Sequence, residues 1–235
     1  MNLGLQGRHI VVTGGTGALG SAVCGLLARS GATCHVPVLD SGELKRFTLT
    51  EQVRIAEGVN LTDEAAVRGF YARFEGSGAP VLWGSVHLAG GFAMGAAEET
   101  TRDQFVQMMN MNALSCFLCC REAVRRMKGG GRIVNVAARP GLIPELGGGM
   151  VAYTASKAAV AAMTQALAAE VAKAGILVNA VAPSIMDTPA NRASMPKADH
   201  EKWPKVEEVA ASIGFLVSPE NRVTRGGLVP VYGQS

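Results

Sequence analysis

The segment RHIVVTGGTGALGSAVCGLLARS, residues 8–30, holds a short β-branched run, a glycine-rich loop and a helix-forming stretch in immediate succession. Strand, glycine loop and helix in that order are the context in which glycines cradle the pyrophosphate of a dinucleotide. Two registers fit the loop, Gly15-x-Gly17-x-x-Gly20 and Gly14-x-x-Gly17-x-x-Gly20. In either, the early glycines permit a tight turn and let backbone N–H groups reach the phosphates, with Thr16, Ala18 and Leu19 completing the loop. Gly20 allows the helix to pack closely on its strand, and the helix N-terminus turns its unpaired N–H groups to the anion.

Further strand–helix units follow. Residues 33–39 read as a second strand in spite of Pro37, which cannot donate to a sheet ladder. Asp40 stands where the chain leaves that strand. It can bind an adenosine ribose or simply form the turn before Ser41 and Gly42, and the sequence does not choose between them. The preference between NAD(H) and NADP(H) is therefore open. Residues 53–59 form a third candidate strand, and Thr62 is the expected cap of the next helix. The run at 81–88 is apolar enough for a strand buried on both faces, and it leads into Ala89, Gly90 and Gly91. A long helical pattern covers 101–128, strands are expected at 131–137, 175–181 and 227–231, and a helix at 206–217. This alternation implies right-handed crossovers and an α/β fold with a doubly wound parallel sheet of seven strands. No linker or repeat interrupts it, so residues 1–235 are expected to form one domain.

Composition narrows the function. Length, 235 residues with 48% hydrophobic, suits one large α/β domain. A net charge of +3 with scattered charges offers no stripe for nucleic acid and no patch for an anionic membrane, which leaves a small-molecule partner. The most apolar windows, 10–28 and 150–172, are broken by glycines in one and by Lys157 and Glu170 in the other, so neither reads as a membrane span. The first nine residues carry no secretory signal, and a soluble, cytoplasmic protein is expected. The cysteines Cys24, Cys34, Cys116, Cys119 and Cys120 lack the spacing of a disulfide framework. Cys116 and Cys119 match a CxxC half-site, but no second pair and no neighbouring histidine accompany them. Buried or interface thiols are expected there, and no metal site.

A second stretch carries the chemistry. MVAYTASKAAVAAMTQAL, residues 150–167, is alanine-rich and free of glycine and proline, which favours helix. Tyr153 and Lys157 then lie one turn apart on one face. A phenol ordinarily loses its proton near pH ~10, and a neighbouring cation lowers that value. Such a pair can give or take a proton near neutrality.

Together these motifs resemble the short-chain dehydrogenase/reductase superfamily over essentially the whole chain: Thr13 through Gly20, Leu88-Ala89-Gly90, Asn112, Tyr153 with Lys157, and the run from Val178 to Pro183. The resemblance implies a Rossmann-type fold and an enzyme that transfers hydride between NAD(P)H and a small substrate. It implies Tyr153 as general acid, Lys157 as the group that lowers its pKa and holds the nicotinamide ribose, and Asn112 as the holder of a water that relays protons to Lys157. It places the cofactor against Ala89, Gly90, Gly91 and Pro183, the adenine at Asn60 and Leu61, and the carboxamide at Met186 and Thr188. It also implies a homodimer or homotetramer, in which helices near 101–128 and 151–173, with the Cys116–Cys120 cluster, pair across a two-fold axis.

Two positions depart from the superfamily. Ala138 stands where a serine usually donates a hydrogen bond to the substrate oxygen, and an alanine cannot donate. His87 replaces an asparagine before Leu88; it is either a substrate ligand or a structural histidine. The segment MDTPANRASMPKADHEKW, residues 186–203, resembles the same region of quinonoid dihydropteridine reductases, which also carry alanine at the serine position. That likeness implies a conjugated, imine-like substrate, with Arg192 and Trp203 as candidate contacts; otherwise the segment is a lid packed over the cofactor whatever is reduced. The alternatives are an ordinary ketone or 3-oxoacyl reductase and a non-catalytic nucleotide-sensing protein on the same fold.

Overall fold

Ile10, Val11 and Val12 expose nothing to solvent, because the strand that carries them is covered on both faces. The computed structural model describes residues 3–47 and 50–235. In chain order the elements are β1 (His9–Thr13), α1 (Ala18–Arg29), β2 (Thr33–Pro37), β3 (Val53–Ala56), α2 (Glu64–Tyr71), β4 (Leu82–His87), α3 (Arg102–Met108), α4 (Ser115–Arg126), β5 (Gly131–Val136), α5 (Arg139–Leu142), α6 (Val151–Glu170), β6 (Ile176–Pro183), α7 (Pro189–Ser194), α8 (Val206–Val217) and β7 (Leu228–Val231). The seven strands form one parallel sheet in the order β3-β2-β1-β4-β5-β6-β7.

Side chains alternate across that sheet as strand geometry demands. Ile10 and Val12 join Val23 and Leu27 of α1 and Val209, Ile213 and Val217 of α8 on one face. Val11 points the other way, into a second core with Phe70 of α2, Ala123 of α4 and Val160 of α6. Each such fully buried side chain contributes roughly 1.5–3 kcal/mol relative to exposure, so both layers hold the sheet. The chain runs outward from β1 to β2 and β3, then returns to place β4 on the other side of β1. That reversal opens a crevice at the carboxyl ends of β1 and β4, where an open α/β sheet binds its ligand.

Several local expectations change. β2 stops at Pro37 rather than 39, and β3 stops at Ala56 rather than 59. The pair closes with Pro37 opposite Ala56, at a strand end where a missing N–H costs no ladder bond. Asp63, not Thr62, caps α2, its carboxylate accepting from the N–H groups of Ala65 and Ala66. Thr62 instead donates to Asn60 Oδ1. The pattern at 101–128 is not one α-helix: Met109–Leu114 forms a π-helical segment between α3 and α4. Thr101 caps α3 in a reciprocal capping box with Gln104.

One buried ion cluster braces α4. The Glu122 side chain is fully buried and bonds Arg121, Arg125 and Arg126, while Arg126 Nε donates to the carbonyl of Tyr71 at the end of α2. All five cysteines are free thiols buried within the chain. Among the described residues no helix is long and apolar enough to cross a membrane.

Candidate active site

The loop after β1 takes its shape from what a side chain would strike. Gly14 has φ +63, and a Cβ there would lie 2.7 Å from the backbone nitrogen of Ala89, so the loops after β1 and β4 touch. A Cβ on Gly20 would overlap the carbonyl oxygen of Gly14, which lets α1 start directly against the turn. Gly17 N–H donates to Gly14 O at 3.1 Å and closes that turn. Gly17 is also the cap residue of α1, which begins at Ala18, and it supplies no side-chain acceptor. The first-turn N–H groups of α1, at Ala18 and Leu19, therefore have no side-chain cap, the arrangement that receives a phosphate at a helix N-terminus. Thr13 Oγ1 accepts from Ala89 N–H and ties the two loops together. By these observations the residues present fit a dinucleotide pyrophosphate.

Asp40 sits at the rim of this loop, but as a turn former. Its carboxylate accepts from Gly42 N–H and caps a short 3-10 turn, Ser41–Arg46. The acid that reaches the glycine loop is Glu43, which accepts from Thr16 Oγ1 at 3.0 Å and from the N–H groups of Leu39 and Asp40. Sequence reading missed Glu43, although the Asp-x-x-Glu spacing at 40–43 is a capping box and marks both carboxylates as paired with backbone. Asn60 spends its side-chain oxygen on Thr62, and Leu61 packs on the core beside it.

On the other side of the crevice, Asn112 occupies the π-helical segment, a distortion often found at functional sites. Its Oδ1 accepts from Gly91 N–H, and its Nδ2 donates to Gly91 O and to Ser156 Oγ. The side chain thus clamps the loop after β4 to α6 and is fully engaged. A Cβ on Gly90 would overlap Asn112 Oδ1 and stand 3.5 Å from Lys157 Nζ, so Gly90, Asn112 and Lys157 are brought together.

Tyr153 and Lys157 lie one turn apart on α6, as expected. Lys157 Nζ donates to the carbonyl of Val136 at the end of β5, at 2.8 Å, and not to the phenol. Burial pushes the Tyr153 phenol up to about 12 and draws the buried Lys157 ammonium down to about 8. Among the described residues the Tyr153 ring packs edge-on against Phe92, centroids 4.9 Å apart. Ala138, two residues beyond Val136, is buried and opens α5 with no side-chain cap.

His87 resolves as structural: Nε2 lies 2.8 Å from Ser85 Oγ and Nδ1 lies 2.8 Å from Asn135 Oδ1, all buried between β4 and β5. Pro183 ends β6 on the crevice side of the sheet. Beyond it Met186 O accepts from Asn191 Nδ2, and Thr188 caps α7. Arg192 is committed to a two-bonded ion pair with Asp187, and Trp203 is 7% exposed and packed on His200. Arg192 is half exposed, and Trp203 is buried against the segment itself.

The short chain dehydrogenase profile matches residues 8–199. Galactitol 2-dehydrogenase of Rhizobium johnstonii is 33% identical, with 97% of this chain and 94% of that protein aligned. The 3-oxoacyl-(acyl-carrier-protein) reductase FabG of Pseudomonas aeruginosa is 28% identical over 98% of each. A solved structure of ElxO with NADP bound superimposes with a TM-score of 0.88 at 24% identity, covering 96% of this chain and 97% of that one. The chain belongs to the short-chain dehydrogenase family and is an NAD(P)-dependent oxidoreductase.

Proposed function

We propose that this enzyme reduces a small, electron-poor C=N or C=O group in a conjugated substrate, with Tyr153 as the proton donor. The observation that carries the reading is Ala138: no hydroxyl stands at the position that would polarise a simple ketone. An already electron-poor ring system accepts hydride with less help, the property of a quinonoid dihydropterin. Phe92, Met94 and Ile143 are exposed apolar side chains near the Tyr153 end of α6 or following Ala138, in keeping with a flat apolar substrate.

NAD(P)H supplies the hydride. Uncapped N–H groups at the start of α1 would hold its pyrophosphate, with Gly14, Gly15, Gly17 and Gly20 leaving room for it. Gly90 and Gly91, fixed by Asn112, line the crevice beside it. Lys157, held by Val136 O, would present its charge to the ribose. Tyr153 OH would deliver the proton to the reduced atom, and burial, which raises its pKa, keeps it protonated at neutral pH. Glu43 places a carboxylate beside the glycine loop, which would repel a 2′-phosphate and favour NADH.

The test is NADH and NADPH consumption against a panel led by freshly generated quinonoid dihydropterin and including simple ketones and 3-oxoacyl thioesters. The second reading, an ordinary ketone or 3-oxoacyl reductase, is favoured by the relatives, one named for a polyol and one for a 3-oxoacyl group. Higher kcat/KM on simple ketones than on the pterin, unchanged or raised further by Ala138→Ser, decides for that second reading. For assembly, exposed Phe105, Leu114 and Phe117 along 105–117 support a homo-oligomer. Sedimentation as a monomer at assay concentration would reject it. Five buried free thiols support a reducing, cytoplasmic setting, and rapid loss of signal from a cytoplasmic reporter fusion in favour of export would oppose it.

A further inference from the structure

Behind the Tyr153 and Lys157 face lies a group of side chains that hydride transfer does not use. The ligating atoms of His87, Cys116 and Cys120 all lie within 4.8 Å of one another, and all three residues are buried. His87 projects from β4; Cys116 and Cys120 sit one turn apart on α4. Cys120 Sγ is 3.4 Å from His87 Nδ1 and 3.4 Å from Asn135 Oδ1, and those two atoms are 2.8 Å from each other. Two sulfurs and an imidazole nitrogen come together, with an amide oxygen beside two of the three.

We propose that His87, Cys116 and Cys120 form a binding site for a thiophilic divalent cation of the zinc–cadmium class, with Asn135 Oδ1 as the fourth donor. Zinc takes sulfur at about 2.3 Å and nitrogen at about 2.0–2.1 Å in a tetrahedron, which sets ligand–ligand edges at roughly 3.3–3.8 Å. The separations around Cys120 Sγ already fall in that range. Coordination converts two thiols to thiolates and releases two protons. The dication and two thiolates then sum to no net charge, so the buried site holds no unpaired charge.

The surrounding residues permit the change. Without a metal, His87 Nδ1–H can donate to Asn135 Oδ1, leaving Nε2 to accept from the Ser85 hydroxyl. Ligation through Nδ1 requires the proton on Nε2 instead. Ser85 Oγ stands 2.8 Å from that nitrogen and 2.7 Å from Tyr71 OH, and hydroxyls give or take equally well, so the pair can reverse without losing a bond. A second partner of this kind fixes a metal-bound imidazole. Asn135 is held from behind, its Nδ2 donating to Thr164 Oγ1 at 2.9 Å. Read along the chain, Cys116 and Cys119 looked like a half-site lacking a histidine. Folding replaces Cys119, which turns toward Tyr71, by Cys120, and supplies the histidine from a distant strand.

The test incubates the full, reduced chain with Cd2+ and dialyses it against metal-free buffer. Expected are one Cd2+ per chain by elemental analysis, an ultraviolet thiolate-to-cadmium absorption, and two protons released per ion bound. Cys116→Ala and Cys120→Ala should each weaken binding at least about tenfold, Ser85→Ala about tenfold, and Cys119→Ala little. No retained Cd2+, or retention and absorption unchanged in the Cys116→Ala/Cys120→Ala double variant, overturns the proposal. If those variants do not fold, cadmium NMR of the wild-type chain decides: a shift in the two-sulfur range supports the site, and an all-oxygen or nitrogen shift refutes it.

Discussion

Lys157 carries a cost that can be read in stability. Its ammonium is buried, and burial holds its pKa at about 8 against about 10.5 in an unfolded chain. Below pH 8 the group is charged in both states and the folded state bears the desolvation penalty. Between pH 8 and 10.5 the unfolded chain keeps a proton that the folded chain has lost, so stability rises with pH across that window. The full linkage is about 3 kcal/mol at 1.36 kcal/mol per pKa unit, and about 2 kcal/mol of it falls between pH 7 and pH 9.5. Lys157→Met removes the titration together with the bond to Val136 O, the latter a pH-independent loss over most of this range. The assay is urea unfolding of both proteins at pH 7 and pH 9.5. Wild type should gain about 2 kcal/mol relative to Lys157→Met over that interval. A stability difference between the two proteins that does not move with pH would refute the buried-cation reading of Lys157.

Three further outcomes follow from other residues. His35 is buried beside His9 with Arg54 and Arg73 in range, and burial first, then those charges, lowers its pKa from 6.5 to about 4. Its stability contribution is therefore lost as pH falls from 6.5 toward 4, by up to about 3 kcal/mol, and His35→Gln should flatten that part of an acid denaturation curve. Glu122→Ala would strip Arg126 of its buried partner and leave it only the half-exposed Glu75, and should cost about 3 kcal/mol in urea unfolding, with KM for cofactor unchanged in the folded fraction. Glu43→Gln should improve kcat/KM for NADPH relative to NADH severalfold; an unchanged ratio would remove Glu43 from cofactor selection.

The architecture was legible because its signals are local and periodic. The helix at 206–217 matches α8 to the residue, since Lys205 and Ser218 bound an apolar pattern of helical period. Boundaries failed where adjacent residues compete for one role, as Thr62 and Asp63 do for the α2 cap, because either side chain could accept those N–H groups. The π-helical segment at Met109–Leu114 was invisible for a different reason: an inserted wider turn leaves composition and apolar spacing nearly unchanged. For the site, Tyr153, Lys157 and the glycine loop could be found because their relations lie within one element or one loop. Orientation could not: whether Lys157 serves the phenol or the Val136 carbonyl depends on where β5 ends relative to α6. Likewise the pairing of Arg192 with Asp187 and the meeting of His87 with Cys116 and Cys120 arise only on folding.

The most direct measurement is steady-state turnover of Tyr153→Phe with the best substrate found, alongside its cofactor affinity by fluorescence titration. The phenyl ring keeps the edge-on packing with Phe92, so the fold and the cofactor crevice should survive. Turnover should fall by at least about a hundredfold with the dissociation constant for NAD(P)H within a few-fold of wild type. Wild-type turnover in that variant would contradict proton delivery from Tyr153 and, with it, the account of this site.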